Sequence, residues 1–473
     1  MLLTLGGWLI VWVLAGPTWA QDHVFLIGGG DQVTNSQAQI ESNARWAREV
    51  LESLPGQRRL YVYFTDGDDP APDVAEWRRP PDDSASLQPL ARVFNTYWSN
   101  GERYRNHRLG PVQGPTDSAF LAVALRERLR GLAPQDRVVV VFNGHGGPAQ
   151  EGGVQHRILL WSSSYLDVAD FEDILAATPP TVPVRFVFTQ CYAGGFARLA
   201  QPGRNRCGFM AEAADRPAEG CSAAIDQEDF QDYSSYFFAA LAGRDRFGTP
   251  LNGNPDRDGD GRVTPLEAHY YTLLHARSSD LPRATSEVFL LEWEPWLVKL
   301  LLPWVEPAGS PYYRMAVELA GTLGLDPKKP LAVQVRDQRE RAEREYLELS
   351  RQRDEVLETI DSLRRPLEDE VLRRWPRASY GYTLNFQRFL REDLDAAQAF
   401  ILAQAAYAEL VLSQDRYWEL DGLMLGAERR VAGFDRVSHL LELARRDRLL
   451  QERGDAEAKA RYAWLLGCES DPL

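Results

Sequence analysis

The chain is poor in cysteine, has no basic stripe, and past its first twenty residues has no apolar run long enough to cross a bilayer. Four cysteines, Cys191, Cys207, Cys221 and Cys468, stand among 473 residues, so the fold rests on a hydrophobic core. A length of 473 residues and a hydrophobic content of 44% supply one, with room for two or three domains. Acidic residues outnumber basic ones, 68 to 53, and the net charge of −15 argues against nucleic acid and anionic membrane surfaces as partners. No fixed-period repeat is strong enough to mark a solenoid. Residues 2–15, LLTLGGWLIVWVLA, form an apolar run too short to span comfortably, and Thr18-Trp19-Ala20 is a small-residue approach to a cleavage point before Gln21. This reads as a secretory signal peptide, residues 1–20, with export to a periplasm or beyond. It lacks the usual Lys or Arg ahead of the apolar run, which leaves an uncleaved N-terminal anchor as the alternative. In an exported protein Cys207 and Cys221 are able to pair across the loop they bracket. Spacing alone does not fix the connectivity.

What is present is organised around Val184–Phe196, VRFVFTQCYAGGF. Its β-branched and aromatic run reads as a buried strand that ends at Gln190 and delivers Cys191. Val138–Phe142, VVVVF, is a second apolar strand and runs into Asn143-Gly144-His145-Gly146-Gly147. His145 lies 46 positions before Cys191, enough for one helical crossover between parallel strands. Open α/β sheets place their chemistry at the C-terminal ends of strands. A His and a Cys closing two consecutive core strands therefore form a candidate dyad, the imidazole activating the thiol.

An apolar block ending in His-Gly, followed by one ending in Gln190-Cys191, resembles the caspase–hemoglobinase fold of cysteine peptidases. Cys207–Cys221, CGFMAEAADRPAEGC, with Ala213-Ala214, resembles the strand and loop that follow the nucleophile in the legumain-like branch. The resemblance covers roughly residues 22–300. It implies an α/β fold with a caspase-like, mostly parallel sheet flanked by helices. It implies a cysteine endopeptidase working through an acyl-enzyme, with the N–H groups of Cys191 and Gly146 as the oxyanion hole. In legumains an Asn shortly after the first strand orients the catalytic His, and Asn35 matches it in spacing. A catalytically silent binding or scaffold module, or an amidase or transpeptidase using the same dyad, is the alternative.

The other elements read as follows. His23–Ile27 is a strand closing into Gly28-Gly29-Gly30, and a helix follows from about Ser36 to Leu54. Arg59–Phe64 is a second strand with Asp66, Asp68 and Asp69 at its end. Residues 70–113 read as a long surface insertion, and Thr116 as the cap of a helix running to about Leu132. Asp215 and Glu219 lie in the loop that resembles the legumain pocket wall. Together with Asp66, Asp68 and Asp69 they predict a pocket for Arg or Lys side chains. Asp256–Glu267, DRDGDGRVTPLE, fits a twelve-residue calcium loop: Asp256, Asp258 and Asp260 at one, three and five, Gly261 at six, the Arg262 carbonyl at seven, Thr264 at nine and Glu267 at twelve. A single loop without an entering helix points to a structural ion. The catalytic region is expected over 21–305. Residues 308–473 are expected to be helical, with a coiled-coil-like seam through Tyr346, Leu349, Val356, Ile360 and Leu363 in which Arg353 fills one slot, then helices over 384–425 and 431–466. Those helices offer a surface for a protein partner or for self-association, and a peptide or protein is the expected substrate.

Overall fold

The computed structural model describes residues 20–77, 87–94, 102–150, 153, 155–221, 230–379 and 383–473. The apolar run at the N-terminus lies outside them.

Six strands make the central sheet: β1 (Asp22–Gly29), β2 (Arg58–Phe64), β3 (Arg137–Gly144), β4 (Val184–Phe188), β5 (Arg206–Met210) and β6 (Arg283–Ala284), in the order β6-β5-β4-β3-β1-β2. All neighbours run parallel except β5 and β6. Parallel sheets need both faces covered, which is why these strands read as unbroken apolar runs. On one face Val24, Leu26, Val139, Val141, Val187 and Phe209 pack against α1 (Ala38–Ser53), α4 (Tyr233–Ala242) and α5 (Pro265–His275). On the other, Phe25, Ile27, Val140, Phe142, Phe186 and Phe188 pack against α2 (Ser118–Arg130) and α3 (Val168–Leu175). The cap of α2 is Asp117, whose carboxylate accepts from the Ala119 and Phe120 N–H groups; Thr116 is buried and donates to the Thr65 carbonyl at 3.2 Å.

The insertion over 70–113 is more ordered than its composition suggests. Val74–Trp77 pairs antiparallel with Glu102–Arg105, and Arg105 is clamped between Glu41 (2.6 Å) and Glu76 (2.5 Å). Gln88–Phe94 forms a helix whose Leu90 and Val93 join the core at the far end of the helical arm.

That arm is an antiparallel pair, α8 (Leu331–Arg374) and α9 (Ala405–Arg453). Helix α9 is continuous where a break at 425–431 was expected. The seam includes Ile360, and Arg353 reaches Asp421 of α9 at 3.3 Å, so the polar slot is filled by an ion pair across the hairpin. The helices do not stand apart from the sheet. Helix α6 (Thr285–Glu292), helix α7 (Pro311–Thr322) and the second half of α9 share one core through Leu290, Tyr312, Met315, Val437 and Leu440. The last helix, α10 (Ala456–Ser470), ends on the sheet itself. Cys468 is bonded to Cys207 of β5, the buried Arg185 of β4 donates to the Cys468 carbonyl at 2.9 Å and meets Asp471 at 2.5 Å, and Glu469 takes hydrogen bonds from Thr285 and Ser286. The Cys207–Cys221 pairing is thus corrected: Cys207 is joined across 261 residues to Cys468, and Cys221 is free.

Candidate active site

Register places the dyad. Strands β3 and β4 pair Phe142 with Phe188, and the ladder continues as the Thr189 N–H donates to the Phe142 carbonyl at 3.1 Å. The Thr189 hydroxyl meets Asn143 Oδ1 at 2.7 Å. Three residues beyond the paired phenylalanines stand His145 and Cys191, at the same C-terminal edge. Contact between the two strand ends is close at Gly146, where a Cβ would lie 2.3 Å from the Cys191 carbonyl oxygen and 2.4 Å from Gln190 Cγ. Only glycine fits there.

Past Cys191 the chain turns sharply. Tyr192 has φ of 59°, a left-handed conformation that costs a non-glycine residue of order 1 kcal/mol. The turn feeds Ala193–Ala200, whose Phe196 and Leu199 are buried against Phe171 and Phe188, and this packing holds the strained residue in place.

His145 is oriented by a file of side chains from the segment after β1. Its Nε2 is 2.8 Å from Gln37 Oε1, Gln37 Nε2 is 3.4 Å from Asn35 Oδ1, and Asn35 Nδ2 is 2.7 Å from Asp31 Oδ1. The direction of the file follows from its end: a carboxylate only accepts, so each amide passes its N–H toward Asp31 and its oxygen toward His145. Nε2 therefore carries the hydrogen and Nδ1 is the basic nitrogen. Asn35 was expected to touch the imidazole with its side chain; Gln37 does so, and Asn35 acts one step back, its backbone carbonyl also favouring the imidazolium. The glycines make the approach possible: a Cβ on Gly30 would lie 1.8 Å from the Asn35 carbonyl oxygen. Gln37 has no motif to announce it. It is the residue before α1, brought to His145 by the fold of 30–37.

Electrostatics keep the pair neutral at rest. Burial holds the His145 imidazolium below its usual range, opposed by Asp31 and the Asn35 carbonyl. Burial also pushes the Cys191 thiol up, aided by Asp280 and Glu212 and opposed by the Ala218 N–H. The thiol is engaged by the loop after β5. Ala218 donates its N–H to Cys191 Sγ at 3.3 Å, and Sγ lies 3.7 Å from the Ala218 carbonyl oxygen, its acceptor. Both of these contacts of the sulfur are to the Ala218 backbone.

The acids expected to form a basic-side-chain pocket do not assemble one. Asp68, Asp69 and Asp215 are exposed. Glu219 is neutralised, its carboxylate 2.8 Å from Arg429 of α9 and 2.6 Å from the Ser279 N–H. Asp66 is half-buried; desolvation, Asp73 and Asp69 raise its pKa to about 6. The physical reason is distance in sequence: Arg429 lies 210 residues from Glu219, and no local pattern reveals it.

The 256–267 loop is closed by its own carboxylates. Asp256 accepts from Gly259 and Gly261, Asp258 from Asp260, and Asp260 from Arg262. Oxygens of Asp256, Asp258 and Asp260 lie within 4.8 Å of one another. Thr264 and Glu267 form the capping box of α5, and Glu267 also accepts from the Arg257 and Asp258 N–H groups. Three carboxylates converging on one point, with a fourth at the helix start, form an all-oxygen donor set that fits a hard cation.

Comparison with known proteins found no matching family model and no matching curated protein. Two solved structures share the outline at a distance. A protein of Geobacter sulfurreducens, GSU0716, is 10% identical with a TM-score of 0.32, over 56% of this chain and 92% of that one. The Drosophila initiator caspase Dronc is 9% identical with a TM-score of 0.22, over 47% of this chain and 64% of that one.

Proposed function

We propose that the protein is a cysteine endopeptidase of the caspase–hemoglobinase type. The observation that carries this reading is the register of β3 and β4, which sets Cys191 and His145 at matching positions of one sheet edge, with His145 held by the file from Asp31. In the reaction the imidazole Nδ1 takes the Cys191 proton, and the thiolate sulfur forms a bond to the scissile carbonyl carbon. Charge on the carbonyl oxygen is met by the N–H groups of Cys191 and Gly146. The imidazolium returns the proton to the leaving amine, and a water then releases the acyl group by the same base. An amidase or transpeptidase would share these steps up to the acyl-enzyme.

Calcium, bound through Asp256, Asp258, Asp260, the Arg262 carbonyl, Thr264 and Glu267, would brace the start of α5. Export beyond the cytoplasm agrees with a disulfide that closes the C-terminus onto the sheet. The exposed Leu412 and Trp418 on α9 suit a protein partner. The test is a set of peptides ending in a chloromethyl ketone at the scissile position, from which the Cys191 thiolate displaces chloride. The wild-type chain should form a thioether at Cys191, and His145→Ala should not; equal labelling of the two would overturn the reading.

A further inference from the structure

We infer that residues 212–221 form a latch over Cys191, and that α9 holds the latch shut. The inference rests on Cys191 as the nucleophile and adds how it is controlled.

The latch is defined by what it covers. The Ala218 N–H and carbonyl both engage Sγ, and the Arg216 carbonyl accepts from the Tyr192 N–H at 2.9 Å. Backbone therefore lies against the thiol and against the residue after it, on the ground a substrate carbonyl must approach.

The start of the loop is fixed to the body of the sheet. Glu212 is fully buried, accepting from the Ala213 and Leu281 N–H groups, and Gly194 gives the loop room to pass, since a Cβ there would lie 2.6 Å from the Ala214 nitrogen. These contacts belong to the body of the sheet. Around Glu219 the loop is held from both sides: its N–H donates to the buried Asp280 at 2.8 Å, its carboxylate accepts from the Ser279 N–H at 2.6 Å, and its side chain is tied to the arm as well. Glu219 pairs with Arg429 at 2.8 Å, and Arg216 reaches Asp435 at 3.6 Å, both partners lying on α9 six residues apart. Arg216, Arg429, Asp435 and Glu219 keep between 16% and 29% of their side-chain surface exposed. Water therefore competes for each pair, and the ties are weaker than the buried anchors. One helix thus grips the covering loop by two charges of opposite sign, and the same helix runs on into the arm that ends at Leu90 and Val93. Breaking the ties to Arg429 and Asp435 would free the Glu219 and Arg216 side chains from α9 together and loosen the cover over the thiol.

The test reads cover, not catalysis. The oxidised full-length chain is treated with iodoacetamide at fixed pH, and modification of Cys191 is followed by peptide mass spectrometry, with free iodoacetamide consumption by a model thiol in the same tube as the comparison. Arg429→Glu should raise the Cys191 rate at least tenfold, and Asp435→Asn should raise it in the same direction. The charge-reversed pair Glu219→Arg with Arg429→Glu should return it to within threefold of wild type. Asp435→Asn keeps its shape and serves if Arg429→Glu does not fold. Wild-type rates in both single variants, or a charge-reversed pair as fast as Arg429→Glu, would overturn the latch. Neither result bears on hydrolysis, so the latch and the peptidase reading fail by different measurements.

Discussion

His145 Nε2 and Gln37 Oε1 stand 2.8 Å apart, and this one contact assigns the imidazole's two nitrogens. With Nε2–H held by an amide oxygen, Nδ1 is the base. Replacing Gln37 by Ala removes the acceptor and frees the tautomer. The expected outcome is a fall in kcat/KM of about tenfold, close to 1.4 kcal/mol of barrier, with Cys191 alkylation in the absence of substrate little changed. Gln37→Glu places a carboxylate on Nε2–H and should raise the imidazolium pKa, moving the acid limb of the pH–rate profile upward. An unchanged limb would mean that Gln37 does not reach the imidazole in solution.

The second expectation concerns pH directly. Burial raises the Cys191 thiol and lowers the His145 imidazolium, so the resting pair is thiol and neutral imidazole. The thiolate is the reactive form. Below a raised thiol pKa its fraction grows about tenfold per pH unit, so the alkylation rate of the resting chain should climb steadily from pH 6 to 8.5. A plateau already reached at pH 6 would reveal a preformed thiolate–imidazolium pair and contradict the neutral assignment.

Third, helix α10 is tied into the body of the sheet. A disulfide closing 261 residues contributes about 5.5 kcal/mol in the chain-entropy picture. Cys468→Ser should lower the melting temperature markedly, as should reduction of the wild type. Cys221→Ser should leave the Cys207–Cys468 bond in place under non-reducing peptide mapping.

How far the sequence foretold these relationships depended on how local each was. Strands β3 and β4 were legible because a parallel sheet covered on both faces demands continuous apolar residues, and VVVVF and VRFVF obey it. The reading of 256–267 as a calcium loop rests on twelve consecutive positions, so it could be made from sequence alone. Helix α9 runs unbroken through Gly426 and Gly433; inside a packed helix each costs only about 1 kcal/mol, and Gly433 lets Leu323 pack close against the helix. Gln37, the Cys207–Cys468 bond and the Glu219–Arg429 pair were invisible for one reason. Each joins residues separated by roughly a hundred positions or more, where neither periodicity nor spacing carries information. Glu219 shows the consequence: an acid on the right loop looks like a substrate ligand until its own arginine is found.

The fourth expectation tests the ion. If calcium fills the 256–267 loop well above its Kd, its removal costs RT ln(1 + [L]/Kd), about 2.7 kcal/mol at a hundredfold excess. EDTA should lower the melting temperature, calcium should restore it, and Asp258→Ala with Glu267→Ala should abolish the difference. Identical melting curves with EDTA and with calcium, together with a metal-free protein by elemental analysis, would remove the ion.

The most direct measurement is hydrolysis of an unbiased peptide library, read by mass spectrometry, by the wild-type chain, by Arg429→Glu and by Cys191→Ala in parallel. The account predicts new peptide termini with the wild type, more of them with Arg429→Glu, and none with Cys191→Ala at unchanged fold. The same new termini appearing with Cys191→Ala would contradict it.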